Sequence, residues 1–250
     1  MCMTQLVGIL NITPDSFSDG DLFLDPEQAV KHAEQMFADG AALVDIGAES
    51  TRPGATPITA KEEWHRLQPI VDWFQALYPG RLSLDTYHPE TVKVALGRRD
   101  FIINDVTGMN NPAMVDAVVT ADTRVVISQL PGTDIQAAHM GKLISSMQQV
   151  TDDLLAKADL LQSKGLNHSK IILDPGIGFG KTEELNWKLL EFAKQVPDYK
   201  VMIGYSRKRF LGDKRMELET NLAAGRIAHA AGAAYLRVHD VAGHRELLDV

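Results

Sequence analysis

Cysteine is almost absent from this sequence: Cys2 is the only one among 250 residues. A single thiol can form neither an intramolecular disulfide nor a cysteine-based metal site, which is typical of proteins from a reducing compartment. The N-terminal segment MCMTQLVGIL lacks the basic start and the long apolar core of a secretory signal peptide. We therefore expect a cytoplasmic protein.

Long apolar runs and an excess of positive charge are also missing. No stretch approaches the roughly 20 apolar residues that a membrane-spanning helix needs. Basic residues number 25 against 33 acidic ones, for a formal net charge of −8. Because an acidic chain is a poor general binder of nucleic acid or of anionic membranes, we expect neither as a partner. An anionic ligand would have to be held by a few basic groups placed close together.

Common catalytic motifs are absent as well. Neither the zinc motif H-E-x-x-H nor the nucleophile motif G-x-S-x-G occurs. The segment LDPGIGFGKT at 173–182 is only superficially similar to a phosphate loop, because its spacing is not that of G-x-x-x-x-G-K-[ST]. We interpret His88 as a residue at the start of a helix rather than as a ligand.

What the sequence does contain is a regular alternation of short apolar segments with helical patterns. Strands are predicted at 6–10, 43–46, 81–85, 101–105, 124–128, 170–174, 200–204 and 235–238. Helices are predicted at 26–39, 62–77, from 89 onward, and at 112–121, 142–164, 182–194 and 221–231. Such alternation indicates parallel βαβ units, and eight of them predict an α/β protein of the (β/α)₈ TIM-barrel type. We expect residues 1–250 to form a single domain; an open doubly wound sheet is the alternative.

Polar side chains follow seven of the eight predicted strands. In a closed barrel the C-terminal strand ends converge on one rim, where barrel enzymes have their active sites. Any one of these residues is as readily explained as a turn former or a helix cap, but the recurrence at seven strands favours a site. The residues are Asn11, Asp45, Glu49, Thr51, Arg52, Asp85, Asn104, Asp105, Asp174, Ser206, Arg207, Lys208, Arg237, His239 and Asp240.

Two chemical groupings stand out within this set. The carboxylates Asp85 and Asp174 each end an apolar strand and would suit the N–H donors of a flat heterocycle, although a partnered core carboxylate is the competing explanation. The basic residues would suit an anionic ligand such as a diphosphate, since Arg and Lys both bind phosphate groups. Ordinary surface ion pairing is the alternative for any one of Arg52, Arg207, Lys208, Arg237 and His239.

The motifs taken together resemble a known family. In order along the chain they read GILNITPDSFSDG, DIGAESTRPGA, LDTY, NDVTG, LDPGIGFGKT, GYSRK and RVHDV. This ordered set resembles the dihydropteroate synthases of folate biosynthesis, over nearly the whole chain. The resemblance implies a transferase that joins 6-hydroxymethyl-7,8-dihydropterin diphosphate to 4-aminobenzoate, releases diphosphate and uses Mg²⁺. It also implies a homodimer formed through the last helices.

The resemblance implies a role for each motif residue. Asn11 would bind Mg²⁺ together with the diphosphate, and the pterin would be held by Asp85, Asn104, Asp174 and Lys208. The diphosphate side would be contacted by Thr51, Arg237 and His239. Arg52 and Ser206 would bind aminobenzoate and order the loops, while Pro14, Phe17 and Phe179 would enclose the site. The catalytic residues would be Arg52, Lys208, Arg237 and His239.

The sequence departs from the family pattern in several places, and one of them lies on one side of the expected pterin pocket. After the fifth strand the family usually has a Met-His pair, where this chain has Ser128 and Gln129. The change leaves open a pterin-binding paralogue without catalysis. A second alternative is a pterin-binding domain that serves methyl transfer from a methylated folate to a corrinoid, but such domains should lack the STRPG and SRK segments that this chain contains.

Overall fold

The computed structural model describes residues 3–13, 26–51, 54–97, 101–132, 135, 138 and 143–248. Eight parallel strands within these ranges form a closed barrel in chain order. The predicted (β/α)₈ barrel is therefore confirmed. The strands are β1 (Gln5–Asn11), β2 (Leu43–Gly47), β3 (Leu82–Asp85), β4 (Ile102–Asp105), β5 (Arg124–Ser128), β6 (Ile171–Asp174), β7 (Lys200–Ile203) and β8 (Tyr235–Val238).

The helices follow the strands closely. Those described are α1 (Pro26–Ala38), α2 (Ala60–Leu77), α3 (Pro89–Leu96), α4 (Pro112–Ala121), α5 (Met147–Ser163), α6 (Glu183–Lys188), α7 (Leu218–Ala230) and α8 (Val241–Arg245). Short 3₁₀ helices cover His168–Lys170, Leu189–Gln195 and Arg209–Leu211. Among the described residues, no helix combines the length and the apolar character required to cross a bilayer.

Side-chain caps fix several of the helix starts, and one of them explains a boundary that differs from prediction. The α5 helix begins at Met147, later than predicted, because the Ser146 side chain accepts a hydrogen bond from the amide of Gln149. The helix predicted at 182–194 is capped by Thr182 as expected but continues beyond Lys188 as a 3₁₀ helix. The tighter 3₁₀ turn is common where an α-helix ends.

The alternation of side chains along the strands positions the site. A small apolar cluster fills the barrel interior below the C-terminal ends of the strands. Ala234 directly precedes β8, and the other members lie on strands: Val7, Leu43, Ile102, Val126, Ile172, Met202 and Tyr235. Side chains two residues further along a strand point the same way. The residues at these next positions are polar on most strands, namely Asp45, Asn104, Ser128, Asp174 and Arg237, and on β3 Asp85 follows the buried Ser83 in the same way. The apolar cluster therefore forms the floor of a polar mouth.

Candidate active site

Arg237 stands at the centre of the polar mouth and joins two strands on the same side of the barrel. Its Nε donates to Oδ2 of Asp45 at 2.6 Å, and its Nη2 donates to Oδ2 of Asp85 at 2.8 Å. The amide of Asn104 donates to the same Asp45 oxygen at 2.9 Å. Asp45 is fully buried. The structure thus brings Asp85, Asn104 and Arg237 together, as predicted, through a carboxylate that was not among the predicted ligands.

Burial and mutual charge set the ionisation of this group. Burial raises the pKa of Asp85 to about 7, although the Arg237 guanidinium acts in the opposite direction. Burial also disfavours the charge on Arg237, but Asp45 and Asp85 outweigh it and raise the pKa of the guanidinium above its ordinary value. Asp45 and Asp85 therefore hold Arg237 in its charged form, while burial favours the protonated form of Asp85 more than water does.

Asp174 and Lys208 form the opposite side of the mouth, together with Phe179. Oδ1 of Asp174 accepts a hydrogen bond from the Gly176 amide at 2.7 Å. Nζ of Lys208 donates to the carbonyl of Ile177 at 2.6 Å and lies 5.3 Å from the centroid of the Phe179 ring. Burial lowers the pKa of Lys208 to about 8, and the nearby Asp174 carboxylate limits that decrease. An aromatic face, a cation and a carboxylate are thus placed side by side.

The loop after β6 is held in place by backbone contacts. Nζ of Lys181 is buried and donates to the carbonyls of Gln129 at 3.1 Å, Gly176 at 2.8 Å and Phe179 at 3.0 Å. Gly176 has a φ of +65°, and a Cβ atom there would lie 2.0 Å from the Gln129 carbonyl oxygen. Only glycine fits this approach. Burial lowers the pKa of Lys181 to about 7.

Ser206 and His239 meet across the ends of β7 and β8. Nδ1 of His239 lies 3.0 Å from Oγ of Ser206, and the His239 amide donates to the same oxygen at 3.3 Å. An open cavity of about 220 Å³ lies beside them, between α1 and the end of β8. Its polar lining comprises His32, Gln35, Asp39, Arg207, His239 and Asp240.

The remaining predicted residues lie at the β1 and β2 side of the rim. Asn11 ends β1, is half-buried and pairs in register with Gly47. Thr51 is half-buried at the start of the loop after β2. Arg52, Pro14 and Phe17, which were predicted to contact aminobenzoate or to enclose the site, lie outside the described residues.

Comparison with known proteins decides the family. The profile of the family described as "Pterin binding enzyme" matches residues 7–239. Dihydropteroate synthase of Escherichia coli strain K12 is 32% identical over 244 residues, which cover 95% of this chain and 86% of the relative. The chain belongs to the dihydropteroate synthase family. The expectation of a transferase is confirmed with it.

Solved dihydropteroate synthase structures share the whole architecture. The Yersinia pestis dihydropteroate synthase, solved with a sulfonamide drug complex, superposes with a TM-score of 0.91 at 30% identity, covering 99% of this chain and 92% of that chain. The Burkholderia cenocepacia enzyme, complexed with 7,8-dihydropteroate, gives a TM-score of 0.85 at 34% identity, with 98% and 89% coverage. The barrel described above is therefore the dihydropteroate synthase fold.

Ser128 and Gln129, which replace the usual Met-His pair of dihydropteroate synthases, are both buried. Ser128 pairs in register with Asp174. The amide side chain of Gln129 donates to Asp153 on α5 at 3.0 Å, while its backbone amide donates to the Asp174 carbonyl at 2.9 Å. The Gln129 side chain is thus bound to α5, and its backbone supports the side of the mouth formed by Asp174.

Two residues of the site were missed by sequence reasoning. The sequence marks Asp45 as a strand-end residue but does not show that its carboxylate joins Asn104 and Arg237. Asp45 lies on the same face of β2 as Leu43, and this alternation predicts that its side chain points into the barrel. In the sequence, Lys181 belongs to a glycine-rich segment whose spacing is not that of a phosphate loop. A lysine directly after a glycine-rich loop is also a candidate to bind that loop's carbonyls.

Proposed function

We propose that this chain catalyses the condensation of 6-hydroxymethyl-7,8-dihydropterin diphosphate with 4-aminobenzoate, giving 7,8-dihydropteroate and diphosphate. The main support for this proposal is the arrangement of four polar side chains in the site. Asp85, Asn104, Asp174 and Lys208 come from four different strand ends and surround one mouth that also holds Arg237.

The pterin ring fits the polar side chains of the mouth. Its edges present N–H donors and carbonyl or ring-nitrogen acceptors in one plane. Asp85 and Asp174 would accept from the donors, Asn104 can both donate and accept, and Lys208 would donate to an acceptor. The Phe179 ring, which lies next to Lys208, would cover one face of the pterin. A carboxylate that accepts from an N–H gains a charge-assisted hydrogen bond, which is stronger than a neutral one.

The reaction breaks the C–O bond between the pterin methylene and the diphosphate. Negative charge grows on the departing diphosphate, and preorganised cations stabilise it most effectively in a water-excluded site. Nη1 of Arg237, together with His239 and Thr51, would contact this charge. The fixed position of Arg237 between two carboxylates means that it need not reorganise during the reaction.

A magnesium ion fits the same side of the site. Asn11 offers one amide oxygen at the half-buried end of β1, and Mg²⁺ usually combines one or two protein oxygens with water and substrate phosphates. When bound there, the ion would neutralise charge on the diphosphate. Asn11 would hold it, and Arg237 and His239 would bind the diphosphate from the other side.

The amine of 4-aminobenzoate then attacks the methylene carbon and loses a proton. No protein nucleophile is needed, in agreement with the lack of a nucleophile motif in the sequence. Ser206 and Arg52 would orient the aminobenzoate. Exclusion of water matters because water would otherwise capture the electrophilic carbon.

The experiment that tests the function supplies the purified protein with both substrates and Mg²⁺. We expect diphosphate release that depends on 4-aminobenzoate, formation of 7,8-dihydropteroate, and complementation of a strain that lacks dihydropteroate synthase. Tight pterin binding without turnover would contradict the proposal and favour a non-catalytic paralogue. Methyl transfer to a corrinoid would favour the methyltransferase alternative.

Two further expectations accompany this function. We propose a cytoplasmic location, because folate-type chemistry on small soluble substrates suits it and the sequence has one cysteine. We also propose a homodimer, which the family resemblance implies. Light scattering of the purified protein would measure a mass near twice 27.5 kDa, and a mass of one chain would contradict it.

A further inference from the structure

A second polar cluster adjoins the proposed substrate mouth, where Glu49 begins the loop that follows β2. Glu49 comes from the start of that loop, Glu63 from the first turn of α2, and His88 from the residue before α3. One ligand atom from each residue lies within 4.8 Å of the other two. His88 starts a helix, as predicted, but its ring makes no capping hydrogen bond and instead joins this cluster.

Neighbouring side chains and one backbone amide donate hydrogen bonds to the carboxylates of the cluster. Oε1 of Glu49 accepts from the Tyr87 hydroxyl and, at 3.3 Å, from the Ile58 amide, while Oε2 lies 2.7 Å from Nε2 of His88. Oε2 of Glu63 accepts from the Thr86 hydroxyl at 2.8 Å. Each carboxylate thus has one oxygen oriented by a neighbouring donor. Outer-shell contacts of this kind orient the carboxylates of metal sites.

The strongest argument for a bound ion comes from the other carboxylate oxygen of Glu63, Oε1. Glu63 is fully buried, and its Oε1 has no hydrogen-bond partner of ordinary geometry among the described residues, although the Thr91 hydroxyl lies nearby. A buried carboxylate oxygen without a partner is costly, and such atoms in native proteins often point to an unseen ion or water. Here the orphaned oxygen belongs to a group that also contains a second carboxylate and an imidazole.

The charge of the cluster indicates the kind of ligand. In the form that binds a metal, with both carboxylates ionised and the imidazole neutral, the cluster would carry two negative charges, and a divalent cation would neutralise both. Without a metal, two protons would do the same, since burial raises the pKa of Glu63 and the hydrogen bond to Glu49 raises the pKa of His88. We propose that Glu49, Glu63 and His88 bind a divalent transition-metal ion of the zinc class. Two carboxylates and one imidazole are ligands that zinc accepts, with a water completing the coordination.

Bound metal would have a structural consequence. Glu49 and Ile58 lie at the two ends of the loop after β2 and are already joined by a hydrogen bond. An ion held by Glu49, Glu63 and His88 would cross-link this loop to α2 and to the start of α3. The loop contains Thr51 and Arg52, so the ion would fix the part of the chain that we assign to the diphosphate and to aminobenzoate. The His88 side chain is 18% exposed, which gives the ion a path from solvent.

Metal titration of the whole protein tests the site without any substrate, so the result does not depend on the proposed reaction. Chelator-treated protein is titrated with Zn²⁺ by calorimetry and by competition with a chromophoric chelator. We expect one tight site per chain, weakened at least about 100-fold in His88→Gln and Glu63→Gln. The matched control His65→Gln removes an exposed histidine of α2 and leaves the affinity unchanged.

A spectroscopic measurement on the unaltered protein covers the case in which Glu63→Gln does not fold. Co²⁺ in a site with carboxylate and imidazole ligands of low symmetry gives intense ligand-field absorption, and added Zn²⁺ displaces it. Absence of that absorption, together with no stoichiometric Zn²⁺ binding, would overturn the proposal. Zn²⁺ binding that is equally strong in His88→Gln would place the metal elsewhere on the surface and would overturn it as well.

Discussion

Arg237 and Asp45 form a buried ion pair that joins the last strand of the barrel to the second, with 2.6 Å between Nε and Oδ2. The same carboxylate oxygen accepts from Asn104, so one atom connects β2, β4 and β8. Because the Asp45 carboxylate holds the guanidinium, the position of Arg237 is set before any substrate binds.

Replacing Asp45 with alanine should destabilise the protein strongly. The substitution leaves Arg237 paired only with Asp85 and the Asn104 side chain without its acceptor, and breaking a buried ion pair costs about 3–5 kcal/mol. Urea unfolding of Asp45→Ala measures this loss. The control Asp116→Ala removes a carboxylate from an exposed ion pair with Lys164 and should cost no more than about 1 kcal/mol. Equal effects of the two substitutions would show that burial of the Arg237 pair is unimportant.

Asp174→Asn should weaken pterin binding while the protein stays folded. The amide oxygen can still accept from the Gly176 amide, but the negative charge facing the pterin is lost. A hydrogen bond to a charged group is worth about 1.5–3 kcal/mol, so affinity should fall about 10- to 150-fold. Calorimetry with a pterin measures the change, with the exposed Asp198→Asn as the control. Unchanged affinity would remove Asp174 from the list of pterin ligands.

Pterin affinity should decrease as the pH rises through about 8, the pKa to which burial lowers Lys208. Below that pH the ammonium is charged and donates to the pterin; above it the charge is lost, and affinity falls by up to about tenfold per pH unit. Lys208→Arg keeps its charge over this range and should abolish this decrease. Lys164→Arg, at an exposed position, should retain it. A decrease that persists in Lys208→Arg would assign the titration to another group.

Gly176→Ala should disrupt the loop after β6 far more than a glycine substitution at an open turn. Both Gly176 and Gly80 have positive φ angles, +65° and +77°, so alanine at either costs about 1–2 kcal/mol of backbone strain. Only at Gly176 would the new Cβ also collide with a carbonyl, whereas nothing lies within 4 Å at Gly80. Thermal unfolding and pterin binding of the two variants should therefore differ, and matching values would argue against the close approach.

The barrel could be predicted from the sequence because each strand is a short apolar segment bounded by turn residues. The predicted limits 124–128 and 235–238 coincide with β5 and β8. The strand ends also located Asp85, Asn104 and Asp174 on one rim. Pairings such as Arg237 with Asp45 could not be predicted, since they depend on closure of the barrel and join residues 192 positions apart. The contact of Lys181 with the Gln129 carbonyl could not be predicted for a related reason, because the two residues are 52 positions apart.

The backbone contacts of Gln129 have a consequence for how this enzyme family varies. Its N–H and C=O groups connect Asp174 and Lys181 whatever side chain the residue carries. A different residue can therefore stand at this position without moving the neighbouring strand or the glycine-rich turn. The site tolerates a different side chain at this position because the connecting hydrogen bonds are made by backbone N–H and C=O groups. Every amino acid other than proline supplies both groups.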